Sequence, residues 1–193
     1  LWLAVLGVAV LAAAAGLVGR EIYKRPPEQV GSPPPIAVAG PSSTTTPPGE
    51  QPGSQVVMAT QDAASYPQYQ AILQMLQDHF DAINGKRYPQ WRGTVTKVKG
   101  DQMPEAVWRR DYRTTVDGSI LLYRIEAAPD KKLRILLGFT SVQDIADAPA
   151  DLRKPCIVWR VTLPLAKEDN KWRIDAGLEG SSPQHQECGT QAS

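Results

Sequence analysis

Histidine and cysteine are scarce in this sequence, with two of each. His79 and His185 stand about a hundred positions apart, and no HxH, HExxH or CxxC spacing occurs, so the usual zinc ligand sets are missing. No glycine-rich phosphate loop is present either, because Gly177, Gly180 and Gly189 are isolated. The 21 basic side chains nearly cancel 20 acidic ones, leaving a net charge of +1 and no electrostatic footprint for nucleic acid. No internal repeat is visible. Together these absences leave no cofactor to expect.

Charge is missing altogether from residues 1–19, "LWLAVLGVAVLAAAAGLVG". At ~1.5 Å per residue, a helix of that length spans most of a ~30 Å hydrocarbon core, so the run is expected to be a transmembrane anchor. A cleaved signal peptide is the alternative, since "AAAAG" offers small residues near a cleavage site. The opening residue is Leu, so a start further upstream is expected.

Residues 20–59 form a Pro/Ser/Thr-rich linker. Nine of the 17 prolines lie between Pro26 and Pro52, and the stretch has neither apolar periodicity nor aromatic residues after Tyr23. It cannot bury enough surface to offset its chain entropy, and its proline density favours an extended spacer. Arg20, Lys24 and Arg25 after the apolar run argue for a cytoplasmic flank. Cys156 and Cys188 argue the other way: an even pair in a tethered domain fits a disulfide outside the cell. The cysteines carry the expectation. The protein is placed in the cell membrane with a single pass and its C-terminal domain extracytoplasmic.

Residues 60–180 read as the folded domain, with the compact part starting near Tyr66. Tyr69, Ile72, Leu73, Leu76, Phe80 and Ile83 recur at the spacing of one helix face, predicting a helix from Pro67 to Asn84. Pro67 suits its first turn, and Asn84-Gly85 suits its stop at a positive-φ residue. "RYPQWRGTVTKVKG" is ambiguous between strand and a weak second helix, and Pro104-Glu105 opens a short helix to about Arg110.

Beyond Tyr112 the apolar period falls to two. Leu121, Tyr123 and Ile125 are predicted to share one face, as are Leu133, Ile135, Leu137 and Phe139. The same pattern predicts Ile157, Trp159, Val161 and Leu163 on a third strand and Trp172, Ile174, Ala176 and Leu178 on a fourth. "PDKK" and "KEDN" are hairpin turns between them. The fold class is therefore α+β: an antiparallel sheet whose apolar face needs the amphipathic helix as cover. Ile120, Leu122, Leu136 and Val158 fall on the opposite face, where they would favour a homodimer. Residues 181–193 form a tail held by a Cys156–Cys188 disulfide.

The segments "ILQMLQDHFDAINGKRYPQW" (Ile72 to Trp91) and "IVWRVTLPLAKEDNKWRID" (Ile157 to Asp175) resemble the opening helix and last hairpin of the nuclear-transport-factor-two-like superfamily. That is the cystatin-like cone shared with ketosteroid-isomerase-like proteins, and the likeness runs from about Tyr66 to Leu178. It implies a curved sheet with an interior pocket, lined here by Trp108, Tyr112, Tyr123 and Trp159. Anchor, spacer and cone together are similar to small anchored actinobacterial envelope proteins, including those associated with mammalian-cell-entry lipid transport systems. The resemblance implies an envelope partner.

Enzymes of that superfamily place an Asp or His base in the pocket. The candidates here are thin. His79 sits beside Asp78 and Asp81 and is expected on a solvated helix side; His185 lies in the polar tail. Asp175 is expected to pair with a neighbouring Arg, and Ser119 to sit in a turn after Asp117-Gly118. Lys86, Arg87, Arg92, Lys97 and Lys99, with no acid among them, form a candidate basic patch for an anionic surface. The expected function is a non-enzymatic, membrane-anchored domain binding a protein partner or an apolar ligand in a cell-envelope complex. The alternatives are a ketosteroid-isomerase-like enzyme, which requires a buried acid of raised pKa facing an open cavity, and an architectural dimer.

Overall fold

A computed structural model of the protein describes residues 51–177 and 183–189. The expected anchor at 1–19 and most of the spacer lie outside the described residues. Among the described residues no helix is long and apolar enough to cross a membrane.

The chain runs β1 (Met58–Ala59), α1 (Gln61–Ala64), α2 (Tyr69–Asn84), α3 (Tyr88–Thr94), α4 (Lys97–Asp101) and α5 (Glu105–Asp111). It continues through β2 (Val116–Ala127), β3 (Leu133–Val142), a 3-10 turn at Ile145–Asp147, β4 (Cys156–Glu168), β5 (Lys171–Ile174) and β6 (Gln184–Glu187). The sheet order is β1-β2-β3-β4-β5, with β6 also on β4. Among the described residues the strand pairs are antiparallel except β1 with β2, so the expected antiparallel sheet of four strands is there a mixed sheet of six.

The helix α2 is the predicted one, and it buries Ile72, Met75, Leu76, Phe80 and Ile83 against the sheet. Its ends differ from expectation. Pro67 lies before the helix, and positive φ falls at Lys86 (55°), whereas Gly85 has φ −83°. Asn84 explains the ending. Its side-chain amide donates to Asp117 O at 2.9 Å and its Oδ1 accepts from Asp117 N at 2.7 Å, so the helix end pairs with β2.

The ambiguous stretch resolves into two short helices around two extended residues, Val95 and Thr96. Val95 bridges Ile174 in parallel, and Thr96 caps α4 by accepting from Lys99 N. The β-branched residues are thus used once as strand and once as cap.

The face assignment of β2 is corrected by irregular register. Pairing with β3 shifts between Gly118 and Leu121 and again between Leu122 and Arg124, and Ser119 takes φ 50°. A bulge reverses which residues point inward. Ile120 and Leu122 are therefore buried beside Ile125, while Leu121 and Tyr123 are half-buried on the other side. The expected outer apolar face shrinks to Leu136, 40% exposed, and half-buried Val158. Ser119 lies within the strand, not in a turn, and its N–H donates to Ser54 O at 2.7 Å. Val57 is also buried, so the folded part begins earlier than residue 60.

The strand Gln184–Glu187 has no signal in the sequence, because "QHQE" carries no apolar alternation. Its order comes from β4: Cys188 N donates to Cys156 O at 3.1 Å, the Cys156–Cys188 disulfide closes beside it, and Lys154 pairs with Glu187 at 2.9 Å. The bridge spans 32 positions, a loop that a chain-entropy argument values at about 2–4 kcal/mol. Cys188→Ala is expected to lower unfolding free energy by about that much in urea titrations, and reductant should produce the same loss in the unmodified protein.

Candidate functional site

The sheet curves away from α2 far enough to leave a cavity of about 290 Å³. Phe80 and Ile83 of α2 face Leu137 and Phe139 of β3 and Trp159, Val161 and Leu163 of β4 across it. Phe80 meets Phe139 at 5.2 Å between ring centroids, and Phe139 stacks on Trp159 at 6.2 Å. The wall surface is mainly apolar, but about half of the lining residues are polar, among them His79, Asp111, Asp117, Ser141 and Asp147.

At one end Asp117 of β2 is only 2% exposed. It sits there because the Asn84 clamp and the bulge aim the start of β2 inward. Ser141 Oγ–H donates to its carboxylate, Lys86 lies close enough to attract it, and Lys86 itself donates to Thr115 O. Burial pushes the Asp117 carboxyl up to about 6, against the lowering pull of Ser141 and Lys86. Burial likewise raises the nearby Tyr112 phenol, with Asp117 and Asp111 adding to it. The phenol is thus a hydrogen-bond donor at any ordinary pH.

His79 is a second surprise. It is 8% exposed and lines the cavity, not a solvated helix side, because it occupies the i+3 position after Leu76 on the buried stripe. Thr94 Oγ gives its only proton to Trp91 O at 2.7 Å, so His79 Nδ1, 2.7 Å from Thr94 Oγ, must be the donor to it. Nε2 is then left unprotonated, as an acceptor. Burial pushes the imidazole down to about 3, and Lys99 lowers it further, so the ring stays neutral.

The four predicted lining residues separate. Tyr112 and Trp159 do line the cavity. Trp108 is fully buried behind it, in an aromatic chain with Tyr88, Trp91 and Tyr112 at 5.4–5.8 Å. Tyr123 lies against Gly138, where an added Cβ would come within 2.8 Å of its ring, and Arg160 sits over it at 5.8 Å. The second β2 register shift put it on that side.

The basic run is also divided. Arg87 bonds Gln90 and Asp81 O, Arg92 pairs with Asp101 at 3.0 Å, and Lys97 is exposed. Lys86 turns toward Thr115, and Lys99 reaches the cavity. Asp175 pairs with a lysine, not an arginine: Lys132 at 2.8 Å, with Thr96 Oγ donating at 2.9 Å. Arg173 instead reaches Asp169 at 3.4 Å. His185 stacks on Trp159 at 4.8 Å and contacts Asp151 at 3.1 Å. Among the described residues no group of three or more His, Cys, Asp or Glu is placed to hold a metal.

Sequence reading missed Asp117, Ser141 and Gln143 as cavity residues. No local signal marks them, since Asp117 finds Ser141 and Asn84 at 24 and 33 positions' distance. No protein-family model matches the chain, and no curated protein matches it in sequence.

Two opposing pH effects follow from the site. The protonated Asp117 carboxyl favours the folded state below its unfolded pKa near 3.8, and that advantage is lost as pH rises through about 6. Neutral His79 acts in reverse: its advantage is present above about 6.5 and lost as pH falls toward 3. Between about pH 4 and 6 the two slopes oppose each other. Asp117→Asn should therefore make stability rise with pH across this window relative to wild type, and His79→Gln should make it fall. Urea midpoints at a series of pH values would check both signs.

Proposed function

We propose that the protein is a non-enzymatic binding domain that holds a small, largely apolar ligand inside its curved sheet. The observation that carries this reading is the cavity itself. Most of its wall surface is aromatic and aliphatic, polar side chains such as His79, Asp117 and Ser141 are interspersed with it, and its volume lies near the small end of the ~300–1,000 Å³ typical of ligand sites. A domain under pressure only to be stable would fill such a space, because each unfilled volume forfeits packing. The nuclear-transport-factor-two-like cone remains the fold family we propose, on the helix-then-sheet order and the interior pocket. The same reading keeps the domain outside the membrane, tethered by residues 1–19 through the proline-rich spacer, within an envelope complex. The disulfide supports that compartment, because such bridges persist where conditions oxidise.

One observation favours a second reading. Asp117 is a buried acid of raised pKa facing an open cavity, the feature that proton transfer at a bound ketone requires. Of the four residues named for the architectural dimer, Ile120 and Leu122 are inside, and Leu136 and Val158 remain on the outer face.

With the full chain in phospholipid nanodiscs and empty nanodiscs as reference, 1-octanol should quench tryptophan fluorescence saturably. Val161→Trp, which places an indole in the space, should abolish that binding while leaving the circular dichroism spectrum unchanged. Absence of saturable quenching would remove the ligand reading. For the second reading, α-proton exchange of cyclohexanone in D₂O decides. No exchange above the uncatalysed rate is expected; exchange that disappears in Asp117→Asn would replace binding with catalysis.

A further inference from the structure

The cavity has a mouth of opposite electrical character to its interior. Lys99, Val161, Leu163 and Pro183 line both the cavity and an adjoining cleft of about 500 Å³, so these four mark where one opens into the other. Lys99 projects there from α4, a position fixed by the Thr96 cap and by the Val95–Ile174 bridge just before it. Its ammonium is half-buried, and burial lowers its pKa, with Asp175 pulling the other way. Yet Asp175 is already engaged by Lys132, Thr96 Oγ and Ala176 N. Among the described residues no acid lies within ion-pair distance of Lys99, and no acceptor bonds its Nζ. Arg160 lines the same cleft, with its guanidinium over the Tyr123 ring and no ion pair among the described residues.

A half-dehydrated cation without a partner is costly, and an anion arriving from solvent removes that cost. Further in, the polar atoms have the reverse preference. His79 presents an unprotonated Nε2, Asp117 is a carboxylate above about pH 6, and Asp111 and Asp147 lie on the same wall, so an anion is opposed there although the Tyr112 phenol offers one donor. An anionic head is therefore held at the mouth, and only an apolar body enters.

We propose that Lys99 is the head-group site for a small amphiphilic carboxylate whose hydrocarbon part occupies the cavity. This inference rests on the ligand-binding reading above and adds the class and orientation of the ligand. The small volume restricts the hydrocarbon part to a short chain or a compact ring system. The carboxylate accepts from Lys99 Nζ, and Arg160 contributes positive potential from the cleft.

The test compares octanoate, 1-octanol and octyltrimethylammonium on the full chain in nanodiscs of zwitterionic lipid, corrected against empty nanodiscs. A hydrogen bond between two charged groups in a partly dehydrated site corresponds to roughly tenfold in affinity. Octanoate is accordingly expected to bind about tenfold tighter than octanol, and the quaternary ammonium weakest. Lys99→Gln should reduce octanoate to the octanol level, with an unchanged circular dichroism spectrum showing that the variant is folded. Lys99→Arg should retain most of the preference, and Lys171→Gln, an exposed lysine on β5, should change nothing. Equal binding of octanoate and octanol would overturn the inference and leave the cavity reading standing. So would a preference for the cation, or octanoate affinity untouched by Lys99→Gln. If none of the three probes binds, both readings fall together.

Discussion

The seating of α2 in the curve of the sheet is the constraint on which the other features depend. Its apolar stripe supplies one wall of the core, as burial of Ile72, Leu76 and Phe80 shows. The Asn84 amide then fixes where β2 begins by taking over both backbone bonds of Asp117. From that junction follow the bulged register of β2, the inward aim of Asp117 and the separation between α2 and the middle of β3 and β4.

The cavity is built at a cost to stability. An acid buried at one end and a histidine held neutral along the wall each oppose hydration, and Ser141 and Lys86 compensate Asp117 only in part. Three tryptophan N–H groups, on Trp91, Trp108 and Trp159, are buried with no hydrogen-bond partner among the described residues. Such groups are costly, and a domain carrying several needs reinforcement elsewhere. The disulfide supplies some, by holding β6 on the edge of β4 and with it Pro183, a wall of the cavity mouth. Covalent closure and cavity are thus linked through a single strand edge.

Much of the fold was legible in the residues. The stripe from Tyr69 to Ile83 declared α2, the alternation of Leu133, Ile135 and Leu137 declared β3, and Trp172 with Ile174 declared β5. These readings hold because helix and strand periods are set by local backbone geometry, which each segment carries in itself. The readings of Tyr123, Ile120 and Leu122 failed for a matching reason. A bulge inserts residues into the count, and nothing in "VDGSILLYRI" states how far its partner strand will slip.

The site was less legible than the fold. The composition alone limited the chemistry, since two distant histidines and a single pair of cysteines leave little to assemble, and the sequence by itself determined the helix, the strand periods and the candidate disulfide. Only tertiary structure decided that His79 faces inward, that Asp117 meets Ser141, and that Lys99 leaves its run of basic neighbours for the mouth of a cavity. The physical reason is that periodicity encodes which side of an element is buried. Which polar groups meet there depends on register and crossing between segments far apart in the chain, and no local pattern records that.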